Sequence, residues 1–170
     1  MIQIYCGDGK GKTTAAVGQS VRAAGHGIPV LFVQFLKDDS SGEIEILKQL
    51  PTVQLLHGHV FYGFTNTMTK KQLQETKEDC SHMFDMVIEQ AGKGNIMIVL
   101  DEIFHACNQQ LLEEERVLEF LDMPLDKVEI VMTGRNPSDA FMKRADYISN
   151  IQKTKHPFDK GIAARIGIEM

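Results

Sequence analysis

The sequence predicts an α/β fold in which helices cover both faces of a parallel sheet. Short apolar runs alternate with stretches of helical periodicity along the 170 residues, as expected for a parallel sheet with helical crossovers. Several runs are apolar at nearly every position, which is typical of strands buried on both faces. Glycine-rich or polar segments follow the strands, where open α/β sheets bind ligands. The length fits one domain spanning residues 1–170.

The composition restricts the classes of protein. The net charge of −5 gives no electrostatic reason to expect nucleic acid as a partner. Three cysteines, Cys6, Cys80 and Cys107, are widely spaced without a C-x-x-C pair, which is typical of a reduced cytosolic protein. No apolar run approaches the roughly 20 residues of a membrane helix, and no signal peptide fits before the first strand. We therefore expect a soluble, cytoplasmic protein without a membrane partner.

The first half of the chain contains three predicted strands. Residues 2–6 form an apolar run, and residues 13–17 begin a helix that ends near the glycines at 25 and 27. Residues 29–35, apolar almost without interruption, predict a central strand. A short helix at residues 43–50 and a weaker strand at residues 53–56 follow.

The second half repeats the alternation after a loop at residues 57–69. Apolar residues at helical spacing from Leu73 to Ala91 predict a long amphipathic helix that ends at Gly92. Residues 96–100 and 128–132 are clear buried strands, separated by an acidic helix. The remaining predictions are that acidic helix at residues 111–121, a helix at 138–145, a strand at 147–151 and an irregular, glycine-rich end.

Residues 6–14, Cys-Gly-Asp-Gly-Lys-Gly-Lys-Thr-Thr, form a phosphate-binding loop that is one residue short. The Walker A pattern G-x-x-x-x-G-K-[ST] requires a glycine where Cys6 stands. The loop glycines let the backbone turn N–H groups toward an anion, and the following helix adds its N-terminal donors and dipole. Lys12 would reach the phosphates, and the Thr13 hydroxyl would ligate Mg²⁺. The predicted ATP-binding residues of the loop are Gly7, Asp8, Gly9, Lys10, Gly11, Lys12, Thr13 and Thr14.

Three more segments follow predicted strands and should meet the loop at one end of the sheet. Asp101 and Glu102 are typical of a Walker B element, which holds Mg²⁺ directly or through water. Either carboxylate could contact the metal, and Glu102 could instead orient a ligand or a nucleophile. Arg135, after Thr133-Gly134, could bind a phosphate or the ligand, or form a surface salt bridge. Residues 35–37 are the third segment. We predict a P-loop, RecA-like architecture.

Together these segments resemble the family of ATP:corrinoid adenosyltransferases, whose members act on cob(I)alamin or cob(I)yrinic acid a,c-diamide. The resemblance extends over nearly the whole chain, and the short loop is one of its marks. The matching segments are residues 7–16, 22–27, 33–37, 42–43, 63–65, 100–102, 133–135, 145–146, 155–158, 161–162 and 167–169.

The resemblance implies that ATP and a reduced corrinoid are the substrates. Co(I) attacks the 5′ carbon of ATP, a cobalt–carbon bond forms, and triphosphate leaves. Because cobalt is the nucleophile, no general acid or base is needed. The expected metal residues are Thr13, Asp101 and Glu102, and Arg135 joins the ATP site. The resemblance further implies a homodimer and a flavoprotein-type reductase that converts Co(II) to Co(I).

The sequence departs from the family pattern in two places. Members commonly carry an N-terminal segment that helps to cover the corrinoid, whereas the first strand here begins at Ile2, so we expect that cover to be missing or supplied otherwise. The family's Gly-Phe-Thr-Trp is Gly-Phe-Thr-Asn here, with Phe64 and Asn66 as the corrinoid-side candidates. In the family, the Phe and the Trp of this motif are associated with displacing the lower axial ligand of cobalt. Asn66 cannot pack as the indole of that Trp would. We therefore expect the missing indole to impair the adenosylation of complete cobalamin more than that of precursor corrinoids, which lack the lower axial ligand.

Two alternative functions fit the same motifs. An ordinary P-loop ATPase or kinase would act on the γ-phosphate, with Glu102 positioning water or accepting a hydroxyl proton. A non-catalytic module would hold nucleotide or corrinoid without turnover. The reaction products distinguish the three functions, because release of triphosphate is incompatible with transfer of the γ-phosphoryl group.

Overall fold

The computed structural model describes residues 1–37, 41–59, 62–63, 65–125 and 127–168. Within these ranges the strands are β1 (Ile2–Cys6), β2 (Val30–Gln34), β3 (Val53–His57), β4 (Ile96–Asp101), β5 (Val128–Thr133) and β6 (Tyr147–Asn150). The α-helices are α1 (Lys12–Gly25), α2 (Gly42–Leu47), α3 (Lys70–Ala91), α4 (Ile103–Asn108), α5 (Glu114–Leu121) and α6 (Asp139–Arg144). Short 3₁₀ helices cover Thr65–Thr67 and Pro157–Lys160.

The strands of the described residues form one parallel sheet in the order β3-β2-β4-β5-β1-β6. Strand β5 lies between β1, which leads into the phosphate loop, and β4, which ends at Asp101. Because parallel strands end on the same side, the segments after β1, β5, β4 and β2 meet there. The predicted α/β class with a parallel sheet is confirmed.

Helices cover both faces of the sheet. Alternate strand residues point to opposite faces, so a strand that is apolar at every position has apolar side chains to bury on both. In β2, Leu31 and Val33 belong to the larger core cluster, to which α3, α4, α5 and α6 contribute. Val30 and Phe32 belong to the smaller cluster, to which α1 and α2 contribute. Every residue of β2 is buried, which explains its almost continuous apolar sequence.

The short helix α4 was not predicted, and the acidic helix starts later than predicted, at Glu114. Glu102 has a left-handed backbone (φ 62°) that turns the chain from β4 into α4. Its carbonyl accepts the N–H groups of His105 and Ala106. A helix of six residues is too short for apolar periodicity to reveal it.

The long helix begins at Lys70, before the predicted Leu73. Thr69 Oγ1 accepts the Gln72 N–H, while the Gln72 side chain accepts the Thr69 N–H, so the two form a capping box. Among the described helices, none combines the length and the apolar character that crossing a bilayer requires.

Candidate active site

The phosphate loop connects β1 to α1 and rests on the segment that follows β6. Gly7 and Gly11 have positive φ angles of 105° and 120°. A Cβ atom at Gly9 would lie 2.8 Å from the Gln152 backbone, and the Gly9 N–H donates to the Ile151 carbonyl at 2.8 Å. The glycines are therefore needed for packing as well as for turning. The loop was expected to turn several N–H groups toward an anion, but the Gly9 N–H is bound within the protein.

Two charged residues of the loop are held by backbone groups. The Lys12 side chain is buried, and its Nζ donates to the Gly9 carbonyl at 2.8 Å. Burial lowers the pKa of Lys12, and the charge of Arg135 lowers it further. Asp8 accepts the Lys153 N–H at 2.9 Å, and this hydrogen bond lowers the pKa of Asp8. Asp8 thus ties the loop to the chain after β6.

Asp101, at the end of β4, is fully buried and accepts hydrogen bonds on both carboxylate oxygens. Its Oδ1 accepts from the hydroxyls of Thr13 at 2.9 Å and Thr133 at 2.7 Å. Its Oδ2 accepts from Lys37 Nζ at 2.8 Å and, more weakly, from Gln34 Nε2 at 3.4 Å. These donors offset the cost of burying the carboxylate. The structure therefore brings together Thr13 and Asp101, two of the three predicted metal residues.

The residues around Asp101 fit a magnesium ion. Hydroxyl and carboxylate oxygens are the ligands that Mg²⁺ prefers, and it usually takes one or two carboxylates and completes its shell with phosphate oxygens and water. Gln34 Oε1 is buried and has no hydrogen-bond partner among the described residues, so a metal-bound water would satisfy it. Among all the residues that the structure describes, no three His, Cys, Asp or Glu side chains cluster as metal ligands.

A cavity of about 860 Å³ lies over the loop. Five predicted ATP-binding residues line it: Lys10, Gly11, Lys12, Thr13 and Thr14. Lys37, Glu43 and Glu102 form part of its wall, and Gly167 and Ile168 from the chain end form another part. We call this space the loop cavity. Its size and its cations suit a polyphosphate ligand.

A second cavity of about 440 Å³ adjoins the loop cavity, and Lys37 and Glu102 line both. Asn66 lines the second cavity together with His105 and Gln109, so we call it the Asn66 cavity. The other corrinoid-side candidate, Phe64, lies outside the described residues. Glu102, the third predicted metal residue, therefore stands between the two cavities while Asp101 lies beneath the loop.

A smaller cavity of about 230 Å³ separates the loop from the chain end. Arg135 lines it together with His156 and Phe158. Gly134, with φ 140°, precedes Arg135, and a Cβ atom there would lie 3.0 Å from the Phe104 side chain. Glycine is therefore required next to Arg135. This position agrees with the predicted phosphate role of Arg135, which remains a prediction.

Residues 35–37 were expected at this end of the sheet, but the contacts of Gln34, Lys37 and Glu43 were not predicted. Gln34 donates to Glu43 Oε1 at 3.3 Å as well as to Asp101, and Lys37 Nζ lies 3.9 Å from Glu43 Oε1. One signal was present: Gln34 is the polar residue that ends an otherwise apolar strand. A fully buried amide in such a strand requires polar partners.

The parallel sheet, with a glycine-rich loop between β1 and α1, defines a protein of the P-loop class. The family described as ATP:corrinoid adenosyltransferase BtuR/CobO/CobP matches residues 1–170, and the chain belongs to that family. The resemblance drawn from the sequence is confirmed.

Curated relatives agree with this assignment. The chain is 32% identical over 176 residues to a corrinoid adenosyltransferase of Escherichia coli K12, covering 99% of this chain and 85% of the relative. Identity and coverage are the same for the corrinoid adenosyltransferase CobA of Salmonella typhimurium. A corrinoid adenosyltransferase of Pseudomonas aeruginosa is 31% identical, with 99% of this chain and 83% of the relative covered. These relatives support ATP:corrinoid adenosyltransferase activity.

Solved structures agree with the fold. The cytoplasmic domain of EssC superimposes with a TM-score of 0.56 at 14% identity, over 96% of this chain and 33% of that one. EssC ATPases 2 and 3 from Geobacillus thermodenitrificans give 0.55 at 13% identity, over 98% and 34%. This chain therefore spans about a third of those chains, and the likeness concerns the fold alone.

Proposed function

We propose that this protein transfers the 5′-deoxyadenosyl group of ATP to the Co(I) centre of a corrinoid and releases triphosphate. The observation that carries the proposal is the wall shared by the loop cavity and the Asn66 cavity, formed by Lys37 and Glu102. A triphosphate in the loop cavity and a corrinoid in the Asn66 cavity would bring the 5′ carbon and the cobalt together at this wall.

The proposed step is a displacement at carbon. The cobalt–carbon bond forms from the Co(I) electron pair, and the C5′–O bond breaks, so its electrons leave with the triphosphate. Negative charge on the leaving group therefore grows in the transition state. Lys12 and the N-terminus of α1 are the fixed positive groups that would stabilise it.

Magnesium is part of this proposal. Thr13 and Asp101 would hold the ion, and Glu102, at the wall of the loop cavity, is the further candidate. When bound, the ion would add positive charge beside the leaving phosphates. Lys12 and Arg135 would bind the remaining phosphate oxygens.

The remaining parts of the proposal rest on family membership. Residues 1–170 would work as one adenosyltransferase domain within a homodimer. A flavoprotein-type reductase would supply the electron that converts Co(II) to Co(I). Asn66, on the wall of the second cavity, would face the corrinoid.

Analysis of the products tests the proposed function. The protein is incubated anaerobically with Mg-ATP and a chemically reduced corrinoid, and the products are separated by chromatography. We expect adenosylated corrinoid and triphosphate in equal amounts. ADP and phosphate as the only products would identify an ATPase or kinase instead. Tight corrinoid binding under reducing conditions, without a cobalt–carbon bond, would identify a binding module.

A further inference from the structure

The ammonium group of Lys37 contacts both residues, Asp101 and Thr13, that would hold the metal. Lys37 Nζ is 2.8 Å from Asp101 Oδ2 and 3.2 Å from Thr13 Oγ1. Asp101 is fully buried, while the Lys37 side chain is 26% exposed where it enters from the cavity side. A buried carboxylate needs a partner of opposite charge, and Lys37 is that partner here.

An ammonium group and a magnesium ion cannot share this position. Mg²⁺ binds its oxygen ligands at about 2.0–2.1 Å. Lys37 Nζ now contacts both an Asp101 oxygen and the Thr13 oxygen, so an ion bound to these two groups would be close to the ammonium group, and the two positive charges would repel each other. Lys37 must therefore move away from Asp101 before the metal can bind there.

A second carboxylate is placed to receive the displaced ammonium group. Glu43 Oε1 is 3.9 Å from Lys37 Nζ, and the Glu43 side chain is 22% exposed. Gln34 Nε2 donates to Glu43 at 3.3 Å and to Asp101 at 3.4 Å, so one fixed amide orients both carboxylates. A small rotation of the Lys37 side chain would exchange one carboxylate for the other.

We propose that Lys37 competes with the divalent cation for Asp101, and that it admits the cation by moving from Asp101 to Glu43. The inference rests on the proposed function only in that the cation accompanies the nucleotide. The competition weakens the binding of Mg²⁺ alone, so the metal enters together with phosphates that supply the missing negative charge. Lys37 is thus a positioning residue that couples metal entry to nucleotide entry.

The first experiment compares Lys37→Met with the wild type by calorimetric titration of ATP, in EDTA and in excess MgCl₂. We expect the ratio of the two Kd values, EDTA over Mg²⁺, to rise about tenfold or more in the variant. Without Lys37, Asp101 repels metal-free ATP, whereas Mg-ATP no longer has to displace an ammonium group. An unchanged ratio, with both Kd values raised equally, would mean that Lys37 only binds phosphate and would overturn the proposal.

Lys48→Met is the matched control, because Lys48 lies at the end of α2 and pairs with the exposed Glu45. It removes the same charge without touching Asp101. We expect its Kd ratio to stay within about twofold of the wild type. An equal rise in both variants would show a general electrostatic effect and would refute direct competition.

A double-mutant cycle tests the receiving role of Glu43. Glu43→Gln should lower the Kd ratio by several-fold, since the displaced ammonium group loses its second partner. In the Lys37→Met background the same substitution should change the ratio by less than about twofold. Equal effects in both backgrounds would mean that Glu43 acts on the metal independently of Lys37.

Thermal unfolding in MgCl₂ alone requires neither nucleotide nor corrinoid. Lys37→Met should gain roughly 3 °C or more from millimolar Mg²⁺, while the wild type gains less than about 1 °C. Equal gains would contradict the competition. A protein that passes these tests but forms no cobalt–carbon bond would refute the proposed function alone, and the opposite combination would refute the exchange alone.

Discussion

At the scale of single residues, replacing Lys12 tests whether the loop is the ATP site, and replacing Asn66 tests the proposed contact with the corrinoid. Lys12 lies beneath the loop with its ammonium group on the Gly9 carbonyl. Asn66 is exposed on the wall of the neighbouring cavity. In the proposed function Lys12 would act on the leaving triphosphate, and Asn66 would face the corrinoid.

Lys12→Ala should reduce kcat/KM for adenosyl transfer by at least about 10²-fold, because it removes a fixed positive charge from the leaving triphosphate. Steady-state kinetics with pre-reduced corrinoid measures this. Lys93→Ala is the control, since Lys93 pairs with the exposed Glu89 on the surface. A wild-type rate for Lys12→Ala would show that the loop is not the ATP site.

Asn66→Trp should raise the rate with Co(II) cobalamin and a reductant more than the rate with pre-reduced Co(I) cobalamin. An indole at this position would add apolar area against the corrinoid and favour loss of the lower axial ligand. Parallel assays with the two oxidation states give the comparison. Equal changes in both assays would argue against the axial-ligand explanation.

At the scale of elements, the phosphate loop depends on the chain that follows β6. The Gly9 N–H donates to Ile151, and Asp8 accepts from the Lys153 N–H, so an edge strand supports the loop from outside. The sequence showed the three glycines but not this support. It becomes visible only because β6 pairs with β1, its neighbour in the sheet.

Gly9→Ala should lower the free energy of unfolding by about 1–3 kcal/mol, because the added Cβ meets the Gln152 backbone. It should weaken ATP binding as well. Urea unfolding and calorimetry provide the two measurements. Gly18→Ala in α1 is the matched control, since a Cβ there meets nothing within 4 Å, and it should be neutral or stabilising by up to about 1 kcal/mol. Equal stability of Gly9→Ala and wild type would disprove the proposed support.

At the scale of the whole molecule, the cysteines report on the integrity of the core. Cys6, Cys80 and Cys107 are free and buried, and they come from β1, α3 and α4. Burial raises the pKa of Cys80 and of Cys107 to about 12. All three pack in the same large cluster on one face of the sheet.

Native protein should therefore react slowly with thiol reagents, because at pH 8 only about one in 10⁴ of the Cys80 and Cys107 thiols is ionised. The rate should increase with pH, since the thiolate is the reactive form, and should increase sharply once urea unfolds the chain. Mass spectrometry of alkylated protein counts the modified sites. Rapid labelling of all three thiols in protein with a native circular dichroism spectrum would contradict the packed core.

The sequence by itself determined the α/β class and the six strands of the sheet, but not helix α4. It also located the glycine-rich loop after β1 and the two carboxylates, Asp101 and Glu102, at the end of β4. These are local features: a run of apolar residues, a set of glycines or a Lys-Thr pair carries its signal within a few positions. The tertiary structure decided the network around Asp101, the support beneath the loop and the two adjoining cavities. Gln34 meets Asp101 because β2 pairs with β4 in one register, in which those two residues are partners. Such pairing depends on contacts between distant segments, so no local pattern could reveal that Lys37 contacts Asp101.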